Sequence, residues 1–282
     1  MDLHILIDSK QAAEVIDQAD YCFIDCRFNL ANPDEGMQQY QQSHIPGAIY
    51  AHLDRDLSGP LSNHTGRHPL PHIESLSKTL SNWGITNQTS VIIYDQSNGM
   101  FASRLWWLLR WLGHSKVAVL DGGFAEWQKQ GRAVATDIPT VEASTFVPQP
   151  QTGWICSADE IPALQQQDNL LLDARAAERY RGEVEPIDPI AGHIPGALNY
   201  PLTDNLDENG LFKTADTIRQ QFVRIINNHH SEQVYHYCGS GVSACHNILA
   251  MEYAGLHGSK LYPGSWSEWI RDVARPIATG NE

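Results

Sequence analysis

One series of motifs runs through this chain twice, and a chain that repeats itself at this length folds as two copies of one domain rather than as a solenoid of short units. The first series begins with Phe23-Ile24-Asp25-Cys26-Arg27 and continues through His44-Ile45-Pro46-Gly47-Ala48 and Val91-Ile92-Ile93-Tyr94-Asp95. It closes on Leu120-Asp121-Gly122-Gly123-Phe124-Ala125-Glu126-Trp127. The second keeps the order: Leu171-Leu172-Asp173-Ala174-Arg175, His193-Ile194-Pro195-Gly196-Ala197, then Val234 to Cys238, then Tyr262-Pro263-Gly264-Ser265-Trp266-Ser267-Glu268-Trp269.

Within each copy, short apolar runs alternate with longer amphipathic stretches. Leu170–Leu172, Val234–Tyr237 and Lys260–Tyr262 read as strands, and Ala215–Ile226 and Ser243–Ala254 as helices. Such alternation predicts an α/β fold, a mainly parallel sheet with helices on both faces of each domain. The Pro- and Gln-bearing run Phe146–Gly153 reads as a linker. The expected boundaries are therefore 1–145, a linker at 146–153, and 154–282.

The copies differ where it matters. Aligning Gly99 with Gly241 and Ala102 with Ala244 sets Asp95 opposite Cys238, with one extra residue in the first loop. A carboxylate cannot do thiol chemistry, so only the second copy keeps a nucleophile. Cys238 closes an apolar strand and precedes a small-residue loop and a helix, where backbone N–H groups converge and thiols become reactive. Gly239 and Gly241 free φ so that the loop can curl around the sulfur. Ligands of parallel sheets gather at such strand ends.

The other four cysteines carry less. Cys22 and Cys26 lie in or beside a strand and read as buried small residues. Cys245, if two turns into the helix and on the order of 10 Å from Cys238, is a poor resolving partner. The odd count and wide scatter argue against a disulfide framework or a structural zinc site.

Taken in order and twice over, these motifs resemble the tandem rhodanese-type sulfurtransferases, with an inactive N-terminal and an active C-terminal rhodanese-like domain. Cys238-Gly239-Ser240-Gly241-Val242-Ser243-Ala244 is similar to the loop of the 3-mercaptopyruvate sulfurtransferases, with Ser243 where threonine is commoner. The resemblance implies a two-step reaction without metal or organic cofactor. Cys238 takes the outer sulfur of a small donor as a persulfide, then passes it to cyanide or a thiol such as reduced thioredoxin. It implies that Gly239, Gly241, Val242 and Ser243 line the sulfur and that Arg179, in Ala177-Glu178-Arg179-Tyr180-Arg181, holds the donor's anionic end. It also implies a proton relay of Ser240 with Asp54 and His68, for which His64 is a rival. Arg175 and Arg181 are weaker candidates, Arg175 reading as the partner of Asp173, and His236 reads as a packed strand histidine.

One feature departs from that family. A second arginine usually follows Glu-Pro, but Glu185-Pro186 is followed by Ile187 and Asp188. Against this, a loop without charge and one nearby arginine suit a monoanion better than the thiosulfate dianion, so mercaptopyruvate is the expected donor and thiosulfate the alternative. A phosphatase of related fold needs an arginine where Ala244 stands. A non-catalytic persulfide-delivery or sulfide-sensing protein is the other rival. The formal charge of −14 argues against nucleic acid as a partner. No apolar run is long enough to cross a bilayer, and Met1–Asp8 lacks the pattern of a signal peptide, so the expected location is cytoplasmic.

Overall fold

The computed structural model describes residues 4–281. The described residues divide into two compact units: 4–59, 70–151 and 208–212 in the first, and 60–69, 152–207 and 213–281 in the second. The segment 146–151 lies along the first unit, where Phe146 N–H bonds Ser81 Oγ and Gln149 and Gln151 N–H bond the carbonyls of Leu112 and Trp111.

The first unit runs β1 (Leu6–Ile7), α1 (Ser9–Ala13), β2 (Tyr21–Asp25), α2 (Glu35–Gln42), β3 (Ile49–Tyr50), α3 (Leu53–Asp56), α4 (Ile73–Asn82), β4 (Ser90–Tyr94), α5 (Met100–Trp111), β5 (Val117–Leu120) and α6 (Gly123–Lys129). The strands form one sheet in the order β1-β5-β4-β2-β3, every pair parallel. Alternate residues of β4 serve opposite faces. Ile92 and Tyr94 join Ala12, Phe124 and Trp127 in the core under α1 and α6, while α5 covers the sheet at β4 and β5.

The second unit repeats the plan with α7 (Ile161–Gln166), β6 (Leu170–Asp173), α8 (Ala177–Tyr180), β7 (Leu198–Asn199), α9 (Ala215–Ile226), β8 (Val234–Tyr237), α10 (Ser243–Tyr253), β9 (Lys260–Leu261) and α11 (Ser265–Trp269). Its four strands are parallel, in the order β7-β6-β8-β9. Tyr235 and Tyr237 pack with Ile161, Trp266 and Trp269 on one face. His236 faces the other, with Nε2 3.2 Å from Met251 Sδ of α10 and its ring edge-on to Phe222 of α9. Thr214 caps α9 by accepting the Thr217 N–H, and Ile218, Phe222 and Ile226 form its buried stripe.

The paired motifs prove to be joints of this architecture. Asp25 and Asp173 each end a strand and clamp the arginine two residues on, at 2.6 Å in both units. Breaking either buried pair leaves an uncompensated charge and costs about 3–5 kcal/mol. Each arginine lies over an aromatic ring of the closing motif, Arg27 over Phe124 and Arg175 over Trp266. His44 and His193 stack on Tyr40 and Tyr180 and bond their carbonyls. The next N–H, of Ile45 or Ile194, bonds the hydroxyl of Tyr94 or Tyr237, at 3.2 Å in both. The His-Ile-Pro-Gly-Ala motifs therefore act as joints within each unit.

Candidate active site

Cys238 is the first residue after β8, and four residues separate it from the start of α10. The loop between is tied down at its start. Trp266 N–H donates to the Cys238 carbonyl and Ser267 N–H to the Gly239 carbonyl, both at 2.9 Å. In the first unit the equivalent bonds run from Phe124 to Asp95 and from Ala125 to Gln96. The two loops are thus the same construction, and the alignment of Asp95 with Cys238 is physical.

What differs is the group each loop holds. The Asp95 carboxylate accepts N–H bonds from Ser97, Gly99, Phe101 and Ala102, at 2.9 to 3.3 Å. This is an anion cradle at the N-terminus of α5, filled by the chain's own carboxylate. In the second unit the Cys238 sulfur takes that place and accepts the Gly241 N–H at 3.2 Å. Gly241 has φ +77°, and a Cβ on it would sit 2.4 Å from the Pro263 carbonyl oxygen, so no other residue fits there. Val242 is buried ahead of α10, and Ser243 opens the helix half-buried.

Cys22, Cys26 and Cys156 have no such setting. Burial pushes Cys22 and Cys156 up to about 12, and Cys26 rises well above the usual thiol value through burial and the neighbouring Asp25, Asp95 and Asp56. Cys245 departs from its expected place: it lies in the first turn of α10, not two turns along. Its Sγ donates to the Gly241 carbonyl at 3.3 Å, so both thiols touch the same loop glycine. The helix starts at Ser243, which leaves Cys245 only two residues in.

Residues 60–69 bring further groups to the loop. Gly66 lies against the Gly264 carbonyl, Arg67 N–H donates to Ser267 Oγ at 3.0 Å, and His68 Nδ1 meets Ser240 Oγ at 2.7 Å with both side chains buried. His64 is exposed instead. It lines a 490 Å³ cavity with Asp159, Glu268, Arg271 and Asp272, and no residue of the Cys238 loop belongs to that cavity. Asp54 is exposed in the first turn of α3, in the first unit, and its N–H meets His52 Nδ1 at 3.1 Å.

Arg179 stands at the loop's rim. Its Nε and Nη2 grip Glu185, and Nη2 reaches Asp188 Oδ2 at 3.3 Å. It is not the single cation expected there. Arg67 pairs with the other oxygen of Asp188, and its Nη2 would stand 2.8 Å from a Cβ placed on Gly239, with the Arg179 nitrogens at 3.6 and 3.7 Å. Two guanidiniums therefore approach the residue after Cys238. Arg181 turns outward to Glu183, and Arg175 is locked to Asp173. His236 is buried and held down to about 3 by desolvation, a packed neutral ring.

Ser265 carries a role that the motifs alone did not disclose. It has φ +56° and is fully buried, and its Oγ accepts the Cys238 N–H at 3.1 Å while donating to the Tyr262 carbonyl. The matching residue of the first unit is Gly123, also at φ +56°. Glycine tolerates that conformation freely, whereas in serine it costs about 1–3 kcal/mol. The Gly-to-Ser difference between the closing motifs was the available signal. Among the described residues, no cluster of His, Cys, Asp and Glu could hold a metal ion, and no helix is long and apolar enough to cross a membrane.

A model of the rhodanese-like domain matches residues 8–130 and again 157–272. A Pseudomonas aeruginosa protein provisionally named a 3-mercaptopyruvate sulfurtransferase is 45% identical over 279 residues, covering 98% of each chain. A Mycobacterium tuberculosis protein provisionally named a thiosulfate sulfurtransferase, SseB, is 35% identical, over 98% of this chain and 97% of that one. Among solved structures, SseA of Escherichia coli, described with the rhodanese fold of the 3-mercaptopyruvate enzymes, superposes with a TM-score of 0.81 at 30% identity, over 94% of this chain and 100% of that one.

Proposed function

This chain belongs to the rhodanese family, and we propose that it is a sulfurtransferase in which Cys238 carries sulfur from a small anionic donor to a thiol or to cyanide. The reading rests on one contrast: matched loops hold an inert carboxylate in the first unit and a thiol beside two guanidiniums in the second. Residues 154–282 form the catalytic domain in this reading, 1–145 a supporting domain and 146–153 the connection.

The Cys238 thiolate attacks the sulfur of 3-mercaptopyruvate. An S–S bond forms, the C–S bond breaks, and its electron pair passes to the pyruvate enolate, which takes up a proton. Ser240 and His68, at 2.7 Å, supply the path for that proton; Asp54, which the resemblance adds to this relay, belongs to the first unit. The N–H groups of the 239–243 loop stabilise charge on the sulfur pair, and Arg179 binds the donor carboxylate. An acceptor thiolate or cyanide then attacks the outer sulfur and returns Cys238 as a thiolate.

Mercaptopyruvate is preferred to thiosulfate because Glu185 and Asp188 offset the positive charge of the arginine pair. Reduced thioredoxin is a fitting acceptor. Five free cysteines suit a reducing compartment, which supports a cytoplasmic location.

Cys238→Ser should abolish transfer while leaving the fold intact by circular dichroism. Wild-type protein given mercaptopyruvate without acceptor should gain one sulfur atom by mass spectrometry. Full turnover by the mutant would sink the assignment, and efficient use of thiosulfate alone would overturn the donor preference.

A further inference from the structure

We infer that Arg67 is a donor-binding residue and that Asp188 sets donor specificity, by holding the anion seat beside Cys238 electrically neutral. This rests on the sulfurtransferase reading and extends it to two residues outside the motifs that identified the site.

Arg67 is presented rigidly. Gly66 packs on the Gly264 carbonyl, Arg67 N–H is bonded to Ser267 Oγ, and His68 is bonded to Ser240. Its guanidinium thus reaches the space over Gly239 beside Arg179, where a second arginine in the 185–188 segment would otherwise be needed. Burial draws the Arg67 guanidinium down from its ordinary value, and the nearby Cys238 sulfur opposes that effect.

Asp188 divides its oxygens between the two arginines, Oδ1 to Arg67 Nη1 and Oδ2 to Arg179 Nη2. Its side chain is 3% exposed, against 25% for Arg67 and 16% for Arg179. The carboxylates are thus the more deeply buried partners, while Arg67 Nη2 and both Nη atoms of Arg179 are the side-chain atoms nearest a Cβ placed on Gly239. Glu185 is held the same way, by Arg179, by Arg175 and by the N–H groups of Ile187 and Asp188. Arg67 and Arg179 are balanced by Glu185 and Asp188. Such a seat offers directed N–H bonds to a single carboxylate but no net field for the second charge of a dianion.

The test is steady-state kinetics with both donors on the full-length protein. Arg67→Ala should raise KM for mercaptopyruvate roughly tenfold or more, with a smaller change in kcat, and Arg67→Lys should restore part of it. Asp188→Asn should raise kcat/KM for thiosulfate relative to mercaptopyruvate by roughly tenfold, the effect of one unit of charge at this range. Glu185→Gln removes the other carboxylate charge that balances the arginines and should shift the donor ratio in the same direction. An unchanged KM in Arg67→Ala, or a donor ratio unmoved in both Asp188→Asn and Glu185→Gln, would overturn the inference. Either result, with Cys238→Ser still inactive, leaves the sulfurtransferase reading standing, so the two fail separately.

Discussion

Ser265 shows how much a single residue can be asked to bear at this site. Its φ of +56° is matched in the first unit by Gly123, which adopts it without strain. The second unit accepts that strain and gains a hydroxyl that holds the N–H of the nucleophile. Ser265→Gly should therefore leave the protein as stable as wild type or more so, by up to about 1–3 kcal/mol, less the value of the lost hydrogen bonds. It should also lower kcat several-fold, because Cys238 loses its anchor. Thermal denaturation and kinetics on one preparation check both halves, and a mutant with unchanged kcat would remove Ser265 from the positioning machinery. Strain of this kind cannot be read from a residue's name. Ser265 was visible only as a mismatch between the repeats, and the mismatch acquires meaning once φ is known.

At the scale of the element, β8 and α10 form the support of the loop, and His236 lies between them, fully buried against Met251. Desolvation holds its ring at about 3, below the ordinary 6.5. The unfolded chain therefore binds a proton at His236 below about pH 6.5 that the folded chain refuses until about pH 3. Stability contributed by this site is complete above pH 6.5 and is lost as the pH falls through that window. His236→Leu should flatten the loss, which urea titrations at pH 7.5 and pH 5 would detect as a smaller difference in midpoint than wild type shows. An equal difference would assign the acid sensitivity to other groups. The elements themselves were readable: β8 spans Val234–Tyr237 and α9 spans Ala215–Ile226, as apolar run and amphipathic stripe predict. Cys245 lies two residues into α10 rather than two turns, because the helix starts at Ser243 and a turn takes about 3.6 residues.

Over the whole molecule, the division of the chain into units departs from its division in sequence. Residues 60–69 belong by sequence to the first copy and by contact to the second unit, where Gly66, Arg67 and His68 all meet the loop region. Gly66→Ala would set a Cβ 2.3 Å from the Gly264 carbonyl oxygen and 2.9 Å from Ser267 Oγ. The segment must then lift, so kcat/KM should fall at least about tenfold while far-UV circular dichroism stays unchanged. Wild-type kcat/KM in that variant would show that the segment's approach is dispensable.

The sequence by itself determined the repeat, the parallel α/β plan, and the thiol that ends β8 with the loop after it, because each is written in local patterns of apolar spacing, small residues and turn chemistry. It also named His68 and Ser240, which the family resemblance joined in one relay. Only the tertiary structure decided that these two touch across 172 positions of chain, that Arg67 rather than any residue after Glu185 provides the second guanidinium, and that Asp188 lies between the arginines. Such contacts depend on packing between segments distant along the chain, and no local pattern records which side chains that packing brings together.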